Sequence, residues 1–154
     1  MSTRAKVITF GIISGLIWSV IPRGANGLNE LFHFNEPVLI ILAGLIAGAM
    51  TGVAVSLALK ASLIKSGWRR TLLFGLISLP LGAFIFGTVS ILLSESLKGY
   101  QHGFFDTIVL AGYCGFVGIV FPFLSVYGII LFPLAVITTF ALRAVIRSSE
   151  KNAN

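Results

Sequence analysis

The sequence predicts an all-α integral membrane protein, a helical bundle of four to five transmembrane segments. Of its 154 residues, 56% are hydrophobic and only 10% are charged, whereas soluble domains carry about 25% charged residues. So few charged side chains cannot cover a protein of this size with polar surface. The apolar residues also gather into long uncharged runs of about the length that crosses a bilayer, so lipid is the expected solvent.

Four uncharged stretches locate the segments at residues 7–22, 37–59, 71–94 and 107–142. As one helix the last stretch is about 54 Å long, against about 30 Å of hydrocarbon. We therefore expect it to break near Pro122, with Pro133 as the alternative. The chain is then a single membrane domain over residues 1–154, in which segments 106–121 and 125–146 follow the first three and residues 147–154 form a polar tail.

Basic residues beside the segments predict their direction. Arg4 and Lys6 precede a first stretch that resembles a signal peptide, but no small-residue cleavage site follows, so we interpret it as a retained anchor helix. By the positive-inside rule the N-terminus is cytoplasmic, in a plasma membrane or a bacterial inner membrane. The C-terminal side stays open. An inside tail splits the basic residues nine to two and requires segment 106–121 to be re-entrant, whereas five full spans split them six to five.

Glycines recur at every fourth position in two of the segments. Gly11 and Gly15 lie in the first, and Gly44, Gly48 and Gly52 form a doubled GxxxG in the second. Because lipid provides no hydrophobic drive between helices, small residues that allow close backbone approach mark packing faces. The pattern predicts helix packing through these five glycines, either within the chain or with another chain.

Ionisable side chains cluster only outside the uncharged stretches, where His33, Glu36, His102 and Asp106 form a candidate metal site. Imidazole and carboxylate groups are suitable ligands for a divalent cation. The alternative is structural. Glu36 before Pro37 and Asp106 before Thr107 fit N-terminal caps, and the histidines then lie at the membrane interface.

Function is predicted mainly by exclusion. No ionisable residue falls within the first three segments or between Thr107 and Leu142, where ion-coupled pumps usually keep one. We find no cofactor motif, and no basic run longer than Arg69-Arg70, so neither a cofactor nor nucleic-acid binding is expected. The first hypothesis is a non-enzymatic membrane subunit that contacts the lipid bilayer and packs with itself or another membrane protein through its glycine-rich faces.

Two other functions stay open. Residues 10–14 resemble residues 74–78, and residues 42–44 resemble residues 110–112; a duplicated helix pair is typical of some transporters, although apolar sequences match themselves easily. In a small transporter or channel, Gly115, Gly118 and Pro122 are the candidate substrate path. The third hypothesis is a membrane enzyme that uses the outer histidine and acid cluster.

Overall fold

The computed structural model describes residues 2–24, 37–64, 66–99, 103–124 and 128–151. These residues form five helices, namely α1 (Thr3–Gly24), α2 (Pro37–Ile64), α3 (Trp68–Leu97), α4 (Phe104–Leu124) and α5 (Gly128–Lys151). Four of them, α1, α2, α3 and α5, are long and apolar enough to cross a membrane. The predicted all-α helical bundle is confirmed.

The helices extend beyond the uncharged stretches from which they were predicted. α2 has 28 residues and α3 has 30, which makes them about 42 and 45 Å long at about 1.5 Å per residue. Charged residues show where a helix leaves the hydrocarbon and do not end it. Pro37 begins α2, because proline at the first helical position loses no hydrogen bond. Pro80 and Pro133 lie inside α3 and α5.

The long last stretch is broken close to Pro122, as predicted. α4 ends at Leu124 and α5 begins at Gly128. The rings of Phe123 and Phe132 lie 5.1 Å apart and are inclined at 57°. The last turn of α4 therefore lies beside the first turns of α5.

α4 packs antiparallel to α3. A methyl group added at Gly118 would meet the carbonyl oxygen of Ala83, and one added at Gly87 would meet the carbonyl oxygen of Cys114. Residue numbers therefore increase along α4 in the direction in which they decrease along α3. Ala83 lies about 22 Å from the first residue of α3, and Leu124 lies about 9 Å beyond Gly118. α4 therefore ends about 13 Å short of the level at which α3 begins.

α5 continues in the direction of α4. Gly75 faces Val136, and Arg143 donates a hydrogen bond to the backbone carbonyl of Ser66. Both helices thus run antiparallel to α3, and α5 reaches the end of the bundle where α3 starts. α4 and α5 therefore follow one another in the same direction along α3.

One buried cluster fixes which ends of the helices lie together. It consists of Val7, Leu59, Leu63, Leu142 and Ile146. These residues come from the start of α1, the end of α2 and the second half of α5, so the N-terminus, the α2–α3 turn and the C-terminus share one end of the bundle. We call it the basic end, because eight of the lysines and arginines that the structure describes belong to it: Arg4, Lys6, Lys60, Arg69, Arg70, Arg143, Arg147 and Lys151.

Candidate functional site

The glycine faces of α1 and α2 pack against each other within the chain. A methyl group added at Gly11 would lie 2.8 Å from the carbonyl oxygen of Gly52, and one at Gly48 would lie 2.6 Å from the carbonyl oxygen of Gly15. These distances are shorter than real side chains tolerate, so the two backbones touch where the glycines meet. Gly44, one turn before Gly48, is also buried.

Contact between α1 and α2 occupies the faces that the sequence offers for association with a second chain. Ser19 continues the α1 face beyond Gly15 and is only 2% exposed. A partner that used the same glycines would first have to separate α1 from α2. The surface available to a partner therefore lies elsewhere on the bundle.

The predicted substrate path lies against α3. A methyl group at Gly118 would lie 2.7 Å from the carbonyl oxygen of Ala83, and one at Gly115 would collide with Thr88 and with the ring of Phe84. Pro122 lies inside α4, near its last residue. In the described part of the chain, Gly115 and Gly118 therefore allow close helix contact and do not line an opening.

Several buried hydroxyl groups have no hydrogen-bond partner among the described residues. They belong to Thr51, Thr88, Ser90, Ser94 and Thr107. Thr107 is 1% exposed and Ser94 is 6% exposed. A buried hydroxyl without a partner costs about 1–3 kcal/mol. The sequence carries no signal for these groups, because nothing distinguishes them from Ser14, whose hydroxyl bonds to a carbonyl of its own helix.

The outward face of α4 contains the one exposed glycine among the helical residues of described exposure, Gly112. A methyl group added there would meet no atom within 4 Å. Large side chains surround it: Val109, Tyr113 and Phe116 are 59%, 65% and 62% exposed. We call these four residues the α4 face. It combines a notch at the glycine with large neighbours, as helix-packing surfaces in membranes do.

Tyr113 is the residue of this face that carries a polar group, its phenolic hydroxyl. Tyr113 is seven residues beyond Asp106, which is about 10 Å along the helix. A phenolic hydroxyl usually finds a hydrogen-bond partner when it leaves water. Hydrocarbon offers none, whereas the backbone of a neighbouring helix does.

The matching segments of the sequence do not have matching surroundings. Gly11 packs against α2, but its counterpart Gly75 packs against Val136 of α5. Gly44 is buried, but its counterpart Gly112 is exposed. These differences argue against a duplicated helix pair.

Of the four residues in the candidate metal site, the structure describes only Asp106. His33, Glu36 and His102 lie outside the described residues. Asp106 is exposed and belongs to the first turn of α4, which begins two residues earlier at Phe104. Its charge there is favoured by the helix dipole, and the capping position itself falls at Gly103. Among the described residues, no group of three potential metal ligands occurs.

Arg143 is buried at the basic end, with 9% of its surface exposed. Its guanidinium group donates to the carbonyl of Ser66, just after α2 ends. A cation at a helix C-terminus is favoured by the helix dipole. The hydroxyl of Ser66 lies 3.3 Å from that of Thr71, which also bonds to the carbonyl of Gly67 at 3.1 Å. The α2–α3 turn is thus held by its own side chains and by α5.

Comparison with known proteins found no matching family model, no matching curated protein and no matching solved structure. Function is therefore inferred from the contacts and exposed surfaces of this chain.

Proposed function

We propose that this chain is a non-enzymatic membrane subunit that packs with itself or with another membrane protein through the α4 face. The observation that carries the proposal is the exposure of Gly112, since a glycine notch in a lipid-facing helix allows close approach by another helix. The glycines of α1 and α2 do not serve this role, because they already contact each other.

The position of α4 in the bundle supports this proposal. Its inner side packs on α3 through Gly115 and Gly118, while Phe104 and Phe105, at its beginning, are 72% and 76% exposed. α4 therefore turns one whole side outward. A helix packed there would cover Gly112 and supply a backbone carbonyl for the hydroxyl of Tyr113.

Cysteine crosslinking in native membranes tests the proposal. We expect Tyr113→Cys, in a Cys114→Ser background, to give an oxidised product larger than the 16.4 kDa chain. Its size shows whether the partner is a second copy or another protein. The matched control is Ile77→Cys, because Ile77 is 47% exposed on α3. Equal crosslinking of the two variants, or none, would contradict the proposal.

A Gly112→Leu variant provides a second test, because leucine fills the notch without touching the bundle. We expect it to reduce crosslinking at Tyr113 while helix content stays unchanged. Ala54→Leu, at an exposed position on α2, is the control for added bulk in lipid. If both variants crosslink as well as the parent, the notch is not a packing site.

We also propose that the basic end faces the cytoplasm of a plasma or bacterial inner membrane. Eight described basic residues belong to that end, and by sequence position Lys65 is a ninth, whereas Arg23 and Lys98 are the remaining two. Loops with excess lysine and arginine stay cytoplasmic. Because α1 begins, α3 begins and α5 ends at the basic end, this arrangement supports the topology in which nine basic residues lie inside and two outside.

A small transporter is the second candidate, and the buried hydroxyls favour it. Ser94 and Thr107, without partners among the described residues, could bind water or a small polar solute between α3 and α4. Flux into vesicles that contain the purified protein tests this function. We expect Thr107→Val to reduce any flux severalfold, and absence of flux for every ion and small solute would exclude the candidate.

A further inference from the structure

A groove of about 170 Å³ lies between α1 and α5, on the side of the bundle away from α4. Its walls include Phe10, Ile13, Ile17, Leu134, Thr138 and Ala141. Ile13 and Ile17 are 54% and 56% exposed, so one wall of the groove opens toward the surrounding lipid. It therefore differs from a closed cavity of the core.

The walls of the groove offer an occupant mainly apolar side-chain atoms. The two hydroxyl groups in its walls bond to their own helices: Ser14 donates to the carbonyl of Gly11 at 3.1 Å, and Thr138 lies 3.1 and 2.9 Å from the carbonyls of Leu134 and Ala135. Neither hydroxyl therefore has its hydrogen left to donate to a polar solute. An apolar occupant is therefore favoured, since burying an unpaired polar group costs free energy.

The groove runs from near the basic end into the middle of the bundle. Phe10 and Trp18 are eight residues apart, which is about 12 Å along α1. Trp18 packs against the buried cluster of Leu79, Leu131 and Ala135. At the other end, Lys6 lies one turn before Phe10 on the same face of α1, and it is half-buried.

We propose that the groove binds one acyl chain of an anionic phospholipid, with the lipid phosphate at Lys6. The argument rests on charge complementarity. The basic end has eight described lysines and arginines but one acid by sequence position, Glu150, and each basic residue near a membrane surface contributes about 1 kcal/mol to the attraction of anionic lipid. A helix of a partner protein fits the groove less well than an acyl chain does, because a helix is about 10–12 Å across and could place only single side chains there.

Native mass spectrometry of the full chain, purified in detergent, tests the proposal. Phosphatidylglycerol and phosphatidylcholine with identical acyl chains are added in turn. We expect one tightly retained lipid, with phosphatidylglycerol preferred. Lys6→Gln should lower retention of phosphatidylglycerol about fivefold, which corresponds to the roughly 1 kcal/mol contributed by one basic residue. It should lower retention of phosphatidylcholine less, because the choline cation opposes the attraction between Lys6 and the phosphate. Lys60→Gln, a half-buried lysine on α2 at the same end, is the matched control.

Ala141→Phe tests the acyl chain separately, because the ring fills the groove. It should abolish retention of both lipids. Ala144→Phe, at an exposed position outside the groove wall, should abolish neither, and circular dichroism checks that both variants keep their helix content. The proposal would be overturned if the two alanine variants retained lipid equally, or if the two lysine changes had equal effects. Crosslinking of a second copy of the chain to Ile17→Cys would overturn it as well. The crosslinks at Tyr113 are independent of these results.

Discussion

The guanidinium group of Arg143 donates a hydrogen bond to the backbone carbonyl of Ser66, 77 residues earlier in the chain. This bond joins the last helix to the turn between α2 and α3. Arg143 is one of eleven basic residues in the sequence, and only 9% of its surface is exposed. It therefore ties the C-terminal helix to the basic end.

Loss of the Arg143 side chain should loosen that end. We expect Arg143→Ala to lower the free energy of unfolding by about 1.5–3 kcal/mol, since the hydrogen bond has a charged donor and its loss leaves a buried carbonyl unpaired. Unfolding by sodium dodecyl sulfate, followed by circular dichroism, measures the change. Arg147→Ala removes an exposed arginine one turn later and should change the free energy by under about 0.5 kcal/mol. Equal effects would show that Arg143 does not pin the turn.

The close contact between α1 and α2 predicts a sharp difference between two glycines. Gly48→Ala places a methyl group 2.6 Å from the carbonyl oxygen of Gly15, whereas Gly112→Ala places one in open space. We expect the first to destabilise the bundle by about 1–3 kcal/mol through overpacking, and the second to leave it unchanged or slightly stabilised, because alanine is the better helix former. The same detergent titration compares them. Similar unfolding of both variants would mean that the helices do not touch at Gly48.

Much of this architecture follows from the sequence, for identifiable physical reasons. Uncharged runs predict the helices because lipid excludes charge, and a stretch of 36 residues up to Leu142 cannot cross a bilayer as one straight helix. A break is expected from the length of this stretch, but the missing N–H of Pro122 does not end the helix, because α4 continues through Pro122 to Leu124. The GxxxG spacing likewise predicts close backbone contact for Gly48 and Gly52.

Other features could not be predicted, because spacing within one helix does not identify its neighbour. Hydropathy gives the length of a segment and not its direction, so the shared direction of α4 and α5 appears only from contacts such as that of Gly75 with Val136. The difference between buried Gly44 and exposed Gly112 has the same cause. Their local sequences match, and only the packing of the whole bundle separates them.

Side-specific labelling tests the shared end of the bundle. In a Cys114→Ala background, single cysteines at Ser2 and Gly67 should react with a membrane-impermeant maleimide from the same side as a cysteine at Lys151, and a cysteine at Gly103 should react from the other side. All four positions are exposed. The reason is that α4 and α5 advance in one direction, so the chain does not return to the side on which α4 begins. Labelling of Lys151→Cys together with Gly103→Cys would contradict this topology.

The buried hydroxyl groups predict opposite effects for two threonines of equal burial. Thr71 is 0% exposed and Thr107 is 1% exposed, but Thr71 donates to the carbonyl of Gly67 at 3.1 Å, whereas Thr107 has no partner among the described residues. Thr71→Val should therefore cost about 1 kcal/mol of stability, and Thr107→Val should be neutral or stabilising, because it removes a desolvated group that gains no bond. If Thr107→Val costs as much as Thr71→Val, the Thr107 hydroxyl has a partner, and water or a solute between α3 and α4 is then the first one to seek.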